Sequence, residues 1–171
     1  MLKIENYIRN IPDFPEPGIQ FKDITPLLKD PAALAHTVTE LAIPFRDKDI
    51  SHVAGMESRG FIFGSLVAKE LNAGFIPLRK PGKLPYDTTQ VSYDLEYGSA
   101  SLEIHVDAVE THHNVLLVDD LIATGGTAKA SIELIEKLGA SIAGLAFVIE
   151  LDFLKGREQL GEHAIHSLIN Y

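Results

Sequence analysis

Hydrophobic and polar residues alternate along the chain in the pattern of an α/β domain. Apolar residues at helical spacing predict four helices, over residues 2–11, 31–43, 60–71 and 128–138. Short apolar or β-branched runs predict four strands, over residues 50–55, 75–78, 115–118 and 141–149. Strands that alternate with helices form parallel sheets through right-handed crossovers. We therefore predict a central, mainly parallel sheet with helices on both faces.

Prolines and capping residues indicate how these elements begin and end. Residues 12–17 hold three prolines, and we predict an extended arm there. Asp30 and Thr127 each precede a predicted helix and are residue types that favour the N-cap position. The sequence contains no internal repeat and no long polar linker, so we expect a single domain over residues 1–171, with an N-terminal arm or small hood over about residues 1–30.

One long irregular segment follows the second predicted strand. Residues 79–90 begin with Arg-Lys-Pro-Gly-Lys-Leu-Pro and continue as a polar run. Irregular segments of this length inside a compact domain are usually lids or binding loops. Residues 93–97 and 101–106 alternate apolar and polar side chains around Gly98, which predicts a β-hairpin. We therefore predict a flexible lid loop over about residues 79–98.

Composition and charge exclude several classes of protein. With 46% hydrophobic and 23% charged residues, the chain has a globular composition. It contains no cysteine, which excludes a disulfide framework, a thiolate zinc site and a cysteine nucleophile. Its net charge of −9 disfavours nucleic acid as a partner. Its apolar stretches are far shorter than the roughly 20 residues of a membrane span, and its first ten residues lack the apolar core of a signal peptide.

The most specific pattern lies where the third predicted strand leads into the last helix. Asp119 and Asp120 follow the apolar residues 115–118, and residues 123–127 read Ala-Thr-Gly-Gly-Thr. Residues 123–127 offer consecutive backbone N–H groups, two glycines that permit close approach and a helix N-terminus, which together suit a phosphate. The two carboxylates would repel a phosphate but accept hydrogen bonds from sugar hydroxyls. The pattern predicts a site for a phosphate with an attached ribose; a tight turn with solvated aspartates is the alternative.

Residues 119–127 resemble the 5-phosphoribosyl 1-diphosphate (PRPP) signature of the type I phosphoribosyltransferases. Further motifs along nearly the whole chain resemble the adenine-specific members of that family, at residues 12–24, 57–61, 79–85, 95–98 and 154–158. The resemblance implies the type I phosphoribosyltransferase fold and a cytoplasmic homodimer that converts adenine and PRPP to AMP and pyrophosphate in purine salvage. It also implies Mg²⁺, held mainly through PRPP and water, so no protein metal site is expected.

The resemblance implies which residues bind PRPP and AMP. These are Arg59, Lys80, Lys83, Tyr97, Asp119, Asp120, Ala123, Thr124, Gly125, Gly126 and Thr127. Arg59 is assigned to the pyrophosphate, since a guanidinium can donate two parallel hydrogen bonds to a phosphate group. It is one of the two expected catalytic residues. Lys80 and Lys83, on the predicted lid, become mobile counter-charges to the pyrophosphate.

The resemblance likewise implies an adenine site and a general base. The implied adenine-binding residues are Gln20, Phe21, Lys22 and Leu151. Phe21 and Leu151 sandwich the base, and the backbones of Gln20 and Lys22 meet its polar edge. Glu96 is the second expected catalytic residue, the carboxylate that takes the proton from adenine. Lys22 departs from the arginine that is common at this position in the family.

Other interpretations remain open at this stage. Arg59, Lys80 and Lys83 are also compatible with solvated surface positions, and Phe21 and Leu151 with core packing. A non-catalytic regulator could keep a PRPP-binding fold as a sensor, but the chain has no spare DNA- or RNA-binding element. An enzyme of the same fold that acts on hypoxanthine, guanine or xanthine is the other alternative.

Overall fold

The structure is a computed structural model that describes residues 2–94 and 99–171. Within these residues, nine strands are formed: β1 (Arg9–Pro12), β2 (Gln20–Asp23), β3 (His52–Met56), β4 (Gly74–Leu78), β5 (Thr88–Asp94), β6 (Ser99–His105), β7 (Asn114–Ile122), β8 (Ser141–Glu150) and β9 (Ile165–Asn170). The α-helices are α1 (Thr25–Lys29), α2 (Pro31–Ala42), α3 (Gly60–Glu70) and α4 (Gly126–Lys137). Short 3-10 helices cover Ile4–Tyr7, Ile43–Phe45, Asp152–Leu154 and Gly156–Leu160. None of the described helices has the length and apolar content needed to cross a membrane.

Five strands form a parallel central sheet in the order β4-β3-β7-β8-β9. Side chains alternate along β7, so Leu116 and Val118 pack into one hydrophobic cluster, while Val115 and Leu117 pack into another. Helices α1, α2 and α3 cover the first cluster, and α4 with the β5-β6 hairpin covers the second. The predicted α/β fold, with a parallel sheet between helices, is confirmed.

The N-terminal segment differs from its prediction. Residues 2–11 do not form a helix: after the 3-10 helix, β1 pairs antiparallel with β2. Ile4 and Ile8 are buried as the apolar pattern requires, but pairing with a strand farther along the chain decides the backbone conformation. Residues 12–17 are not an extended arm either, because they lead into turns that reverse the chain between β1 and β2, with Gly18 at φ 91°.

The junction of β7 and α4 also differs from its prediction. Strand β7 continues to Ile122, so Asp119 and Asp120 lie within the strand and not after it. Gly125 is the N-cap residue of α4 in place of Thr127, and no side chain caps this helix. Thr127 instead lies in the first turn, where its Oγ1 is 3.2 Å from the hydroxyl of Tyr93.

The predicted hairpin is present but begins earlier than expected. Strands β5 and β6 pair from Thr88 opposite His105 to Asp94 opposite Ser99. The irregular segment therefore ends at residue 87. Of the predicted lid loop over residues 79–98, residues 95–98 lie outside the described residues, and closure of the loop stays a prediction.

Three histidines stack at the N-terminal ends of β3 and β7. The ring centroids of His52 and His113 are 4.3 Å apart, and those of His112 and His113 are 4.4 Å apart. Burial, followed by the neighbouring His113 and His112, lowers the pKa of His52. The folded protein therefore resists protonation of His52 at a pH where the unfolded chain accepts the proton.

This difference predicts that the protein loses stability in mild acid. Below about pH 6.5, the ordinary pKa of histidine, the unfolded state binds more protons, so the free energy of unfolding should fall as the pH drops. His52→Phe keeps an aromatic ring and removes the titration. Urea midpoints at about pH 7.5 and about pH 5.5 should therefore differ less in this variant than in the wild type. An equal pH dependence in both proteins would contradict the prediction.

Candidate active site

A cavity of about 210 Å³ lies where β7 leads into α4. Its lining includes Ala123, Thr124, Gly125, Gly126 and Thr127, which are the five residues predicted to bind phosphate. Because α4 begins here, the unpaired N–H groups of its first turn are available to an anion. Asp119 lines the same cavity. The predicted phosphate-binding residues thus share one cavity with one of the predicted ribose-binding carboxylates.

Gly125 meets two separate structural requirements in this loop. Its φ of 88° is a left-handed conformation that glycine adopts without strain. A Cβ atom at Gly125 would also collide with the carbonyl oxygen of Gly156, and a Cβ at Gly156 would collide with the carbonyl oxygen of Ala123. The loop over residues 123–127 therefore packs backbone to backbone against the segment that follows β8. Sequence reasoning did not assign Gly156 a role; the motif at residues 154–158 was the only signal.

An ion pair between the exposed Arg157 and the buried carboxylate of Glu150 holds this supporting segment in place. Arg157 Nε donates a hydrogen bond to Glu150 at 2.9 Å, and Ser167 Oγ donates to the same carboxylate at 2.6 Å. The hydrogen bond from Arg157 is the largest cause of the lowered pKa of Glu150, and burial opposes it. Glu150 therefore stays ionised and joins the ends of β8 and β9 to the segment that carries Gly156.

Asp119 and Asp120 form a coupled pair beside Arg59. Arg59 Nε lies 3.0 Å from Asp120 Oδ2, and the Asp120 side chain is only 4% exposed. Burial raises the pKa of Asp120, and the Arg59 guanidinium opposes that shift. Burial and the adjacent Asp120 carboxylate raise the pKa of Asp119. Among the described residues, the buried Asp120 Oδ2 has the Arg59 guanidinium as its ion-pair partner and accepts no hydrogen bond.

Arg59 also links this site to the N-terminal hairpin. Its guanidinium carbon lies 5.3 Å from the centroid of the Phe21 ring, and Phe14 packs edge-on against Phe21 with centroids 5.1 Å apart. Because side chains alternate along β2, Gln20 and Lys22 point to the opposite side of the strand from Phe21. Phe21 therefore faces the side of the hairpin on which the paired carboxylates lie.

A second cleft, of about 490 Å³, lies between β2 and the segment after β8. We call it the hood cleft; it is lined by Gly18, Ile19, Gln20, Lys22, Leu151, Phe153, Leu154 and Tyr171. Its lining is mainly apolar and contains three of the four residues predicted to bind adenine. The fourth, Phe21, faces Arg59 instead. Such a cleft, with a few polar groups at its edge, suits a flat heteroaromatic ring.

Two buried carboxylates hold the irregular segment over residues 79–87. Glu57 accepts hydrogen bonds from Lys83 Nζ at 2.7 Å, from the Lys80 N–H at 2.8 Å and from Arg79 Nε at 3.4 Å. Burial acts to raise the pKa of Glu57, but these three donors outweigh it and lower the pKa to about 2. Glu103 accepts hydrogen bonds from the N–H groups of Lys83 and Leu84, both at 3.2 Å. Lys83, a predicted pyrophosphate ligand, is therefore anchored to Glu57, which lies two residues before Arg59 in the chain.

The described residues bring most of the predicted site together. Arg59, the aspartates and residues 123–127 meet at one edge of the sheet, and Lys83 reaches that edge through Glu57. Sequence reasoning assigned no role to Glu57 or Glu103, although Glu57 belongs to the motif at residues 57–61. Glu96 and Tyr97 lie outside the described residues. In the part of the chain that is described, no group of three or more His, Asp or Glu side chains is arranged to hold a metal ion.

Comparison with known proteins agrees with this geometry. Residues 20–166 match the family model of the phosphoribosyl transferase domain. The chain is 63% identical to the adenine phosphoribosyltransferase of Nitrosococcus oceani and 61% identical to that of Methylococcus capsulatus, over 100% of each chain. A crystal structure of the Rhodothermus marinus enzyme of that name superposes with a TM-score of 0.94 at 50% identity, covering 98% of this chain and 96% of that one.

A second solved structure contains ligands. The adenine phosphoribosyltransferase of Saccharomyces cerevisiae, in complex with an imino-altritol bisphosphate and adenine, superposes with a TM-score of 0.91. It is 40% identical, and the match covers 96% of both chains. The fold, the cavity at the start of α4 and these full-length similarities lead to one assignment. This chain belongs to the phosphoribosyl transferase domain family and, within it, to the adenine phosphoribosyltransferases.

Proposed function

We propose that this chain transfers the 5-phosphoribosyl group of PRPP to adenine and so forms AMP and pyrophosphate. The observation that supports the proposal most directly is the set of groups at one sheet edge: a cavity that suits a phosphate, two adjacent carboxylates of which Asp120 is buried, and an arginine. The bond between ribose C1 and the pyrophosphate oxygen breaks, and a bond between C1 and adenine N9 forms. Phe21, which packs against the Arg59 guanidinium, offers an aromatic face for the base.

In this reaction the phosphate-binding loop holds the 5-phosphate of PRPP and of AMP. Residues 123–127 donate backbone N–H groups, and the hydroxyls of Thr124 and Thr127 add further donors. Asp119 and Asp120 accept hydrogen bonds from the ribose 2- and 3-hydroxyls. Their negative charge favours the positive charge that develops on the ribose as pyrophosphate leaves.

Arg59 and the irregular segment bind the leaving group. Arg59 is the catalytic cation that stabilises the departing pyrophosphate, and Lys80 and Lys83 supply further positive charge. Glu96 is the proposed base for the proton on adenine, and Tyr97 is proposed to orient Glu96 or the phosphates. These two roles rest on the family resemblance.

The adenine site is proposed at the hood. Phe21 and Leu151 stack on the base, and the backbones of Gln20 and Lys22 meet its polar edge. Strand β2 pairs only with β1 among the described strands, so its other edge has no strand partner. A strand edge with unpaired backbone groups suits the donors and acceptors of adenine.

Magnesium fits this site through its substrate. Asp119 lines the cavity and presents hard carboxylate oxygens beside residues 123–127. Mg²⁺ bound mainly to PRPP oxygens and water would neutralise part of the pyrophosphate charge. We further propose a cytoplasmic homodimer that serves purine salvage; the molar mass in solution, measured by light scattering, tests the homodimer.

The decisive experiment compares four bases. Purified protein with PRPP and Mg²⁺ should form AMP from adenine and should turn over hypoxanthine, guanine and xanthine far more slowly. Turnover of a 6-oxopurine in preference to adenine would identify an enzyme of different base specificity. Binding of PRPP without turnover of any base would indicate a regulator, and the proposal would then be wrong.

The lysines of the irregular segment should act on the pyrophosphate. Lys80→Ala and Lys83→Ala together should weaken PRPP and pyrophosphate binding by roughly 10- to 100-fold. Both lysines are exposed, and solvent screens their charge, so the pair should contribute about 1.4–2.8 kcal/mol in total, less than two buried charge-assisted hydrogen bonds would. AMP carries no pyrophosphate, so its affinity should change much less. Lys48→Ala, far from this site, is the control. An equal loss of AMP and pyrophosphate affinity in steady-state inhibition would contradict the role.

A further inference from the structure

We infer that Tyr171 is a positioning residue for adenine, because it joins the two walls of the hood cleft through Lys22 on one side and the neighbours of Leu151 on the other. The inference rests on the proposed function. The cleft wall formed by β2 and the wall formed after β8 come from opposite ends of the sequence. Their separation decides whether a flat base fits between them.

The first contact fixes the side chain of Lys22. Its ammonium nitrogen lies 3.4 Å from the centroid of the Tyr171 ring and donates a hydrogen bond to Asn10 Oδ1 at 2.8 Å. A cation over the face of an aromatic ring is attracted by the electrons of the ring. Burial lowers the pKa of Lys22, as expected for an ammonium that is partly removed from water. The ring of Tyr171 is therefore attached to β2.

The second set of contacts fixes the backbone around Leu151. The N–H of Tyr171 donates to the carbonyl oxygen of Glu150 at 2.9 Å, and the N–H of Asp152 donates to the carbonyl oxygen of Tyr171 at 2.9 Å. These two bonds flank Leu151 on both sides. Asn170 Nδ2 also donates to the carboxylate of Asp152, at 3.0 and 3.2 Å. The backbone of Tyr171 therefore sets the position of the residue proposed to stack on adenine.

Together these contacts make Tyr171 a bridge across the cleft that it also lines. Its backbone bonds persist with any side chain except proline, so the ring is the part that a substitution can remove. Without the ring, β2 loses its attachment to the wall that carries Leu151. Adenine must then bring the two walls together on binding, which weakens its affinity. The phosphate cavity lies at the start of α4 and contacts this segment only at Gly156, beyond Leu151, so PRPP binding should depend on the bridge much less than adenine binding does.

Steady-state kinetics of AMP formation test the inference. Tyr171→Leu should raise the KM for adenine by roughly 3- to 30-fold, the range expected for loss of a cation–π contact, and should leave the KM for PRPP nearly unchanged. Tyr171→Phe keeps the ring face and should retain the wild-type KM for adenine. Lys22→Met removes the other partner and should have the same effect as Tyr171→Leu. The double variant should be no worse than either single variant, because both remove one interaction.

Controls separate a positioning role from a general loss of structure. Lys48→Met removes a similar contact, in which Lys48 Nζ lies 5.1 Å from the Phe45 centroid, and should leave both KM values unchanged. If Tyr171→Leu does not fold, Lys22→Met carries the same test. Equal increases in both KM values, additive effects in the double variant, or an unchanged KM for adenine would each overturn the inference. Wild-type protein that makes no AMP from adenine would instead overturn the proposed function.

Discussion

Gly125→Ala should lower the affinity for AMP by at least about a hundredfold, since a displacement of about 1 Å in a binding site can cost that much. The left-handed φ of 88° penalises any side chain at this position. The added Cβ would also collide with the carbonyl oxygen of Gly156, so the loop must move away from its support. Its N–H groups then no longer converge on the phosphate. Isothermal titration calorimetry with AMP measures the loss.

Gly161→Ala is the matched control for this variant. Gly161 also has a positive φ, 62°, but an added Cβ would meet no atom within 4 Å. This variant therefore carries the backbone strain without the collision, and its AMP affinity should stay close to that of the wild type. A Gly125→Ala protein that melts normally and binds AMP normally would show that residues 123–127 do not hold the phosphate.

Neutralising Asp119 and Asp120 together should slow turnover by roughly 10²–10⁴-fold, with a smaller loss in AMP affinity. Each carboxylate contributes a charge-assisted hydrogen bond of about 1.5–3 kcal/mol, and a factor of ten corresponds to about 1.4 kcal/mol. Asp120 is buried and Asp119 is half-buried, and at such positions charge acts more strongly on a developing positive ribose than it would in water. Asp119→Asn with Asp120→Asn keeps the shape and removes the charge.

The comparison of rate and binding decides what the aspartates do. Transition-state stabilisation lowers kcat more than it weakens ground-state binding, whereas simple positioning lowers both equally. Asp47→Asn with Asp49→Asn removes two carboxylates from exposed positions and should leave both quantities unchanged. Equal losses of kcat and AMP affinity in the Asp119 and Asp120 variant would favour positioning alone.

Local signals predicted the central part of the fold correctly. The Asp30 side chain does cap α2, accepting a hydrogen bond from the Ala33 N–H at 2.9 Å. The apolar run of β7 does lie in the middle of the sheet. The sequence pattern did not predict α1 or β9. Helix α1 has only five residues, too few to show a helical period. Strand β9 is a half-exposed edge strand, so its apolar and polar residues alternate only weakly. The prediction of a helix over residues 2–11 was wrong because the spacing of apolar residues in that segment does not show that it pairs with β2.

The residues of the candidate site also divide into those that the sequence predicted and those that it did not. Asp119 and residues 123–127 are contiguous in sequence, so their chemistry was visible there. Gly156, Glu57 and Glu103 act through contacts with residues far away in the chain, and a single sequence does not show such contacts. At Gly156, for example, a glycine is required only because the backbone of residues 123–125 packs against it in the folded protein.

The packing of Gly125 against Gly156 has a thermodynamic consequence. The segment over residues 151–157 forms one wall of the hood cleft with Leu151 and supports the phosphate-binding loop with Gly156. A ligand that orders this segment from one side lowers the entropic cost of ordering it from the other. If the proposed sites are correct, the six residues from Leu151 to Gly156 should couple adenine binding to PRPP binding. Such coupling is reciprocal, so the factor by which adenine raises the affinity for PRPP equals the factor by which PRPP raises the affinity for adenine.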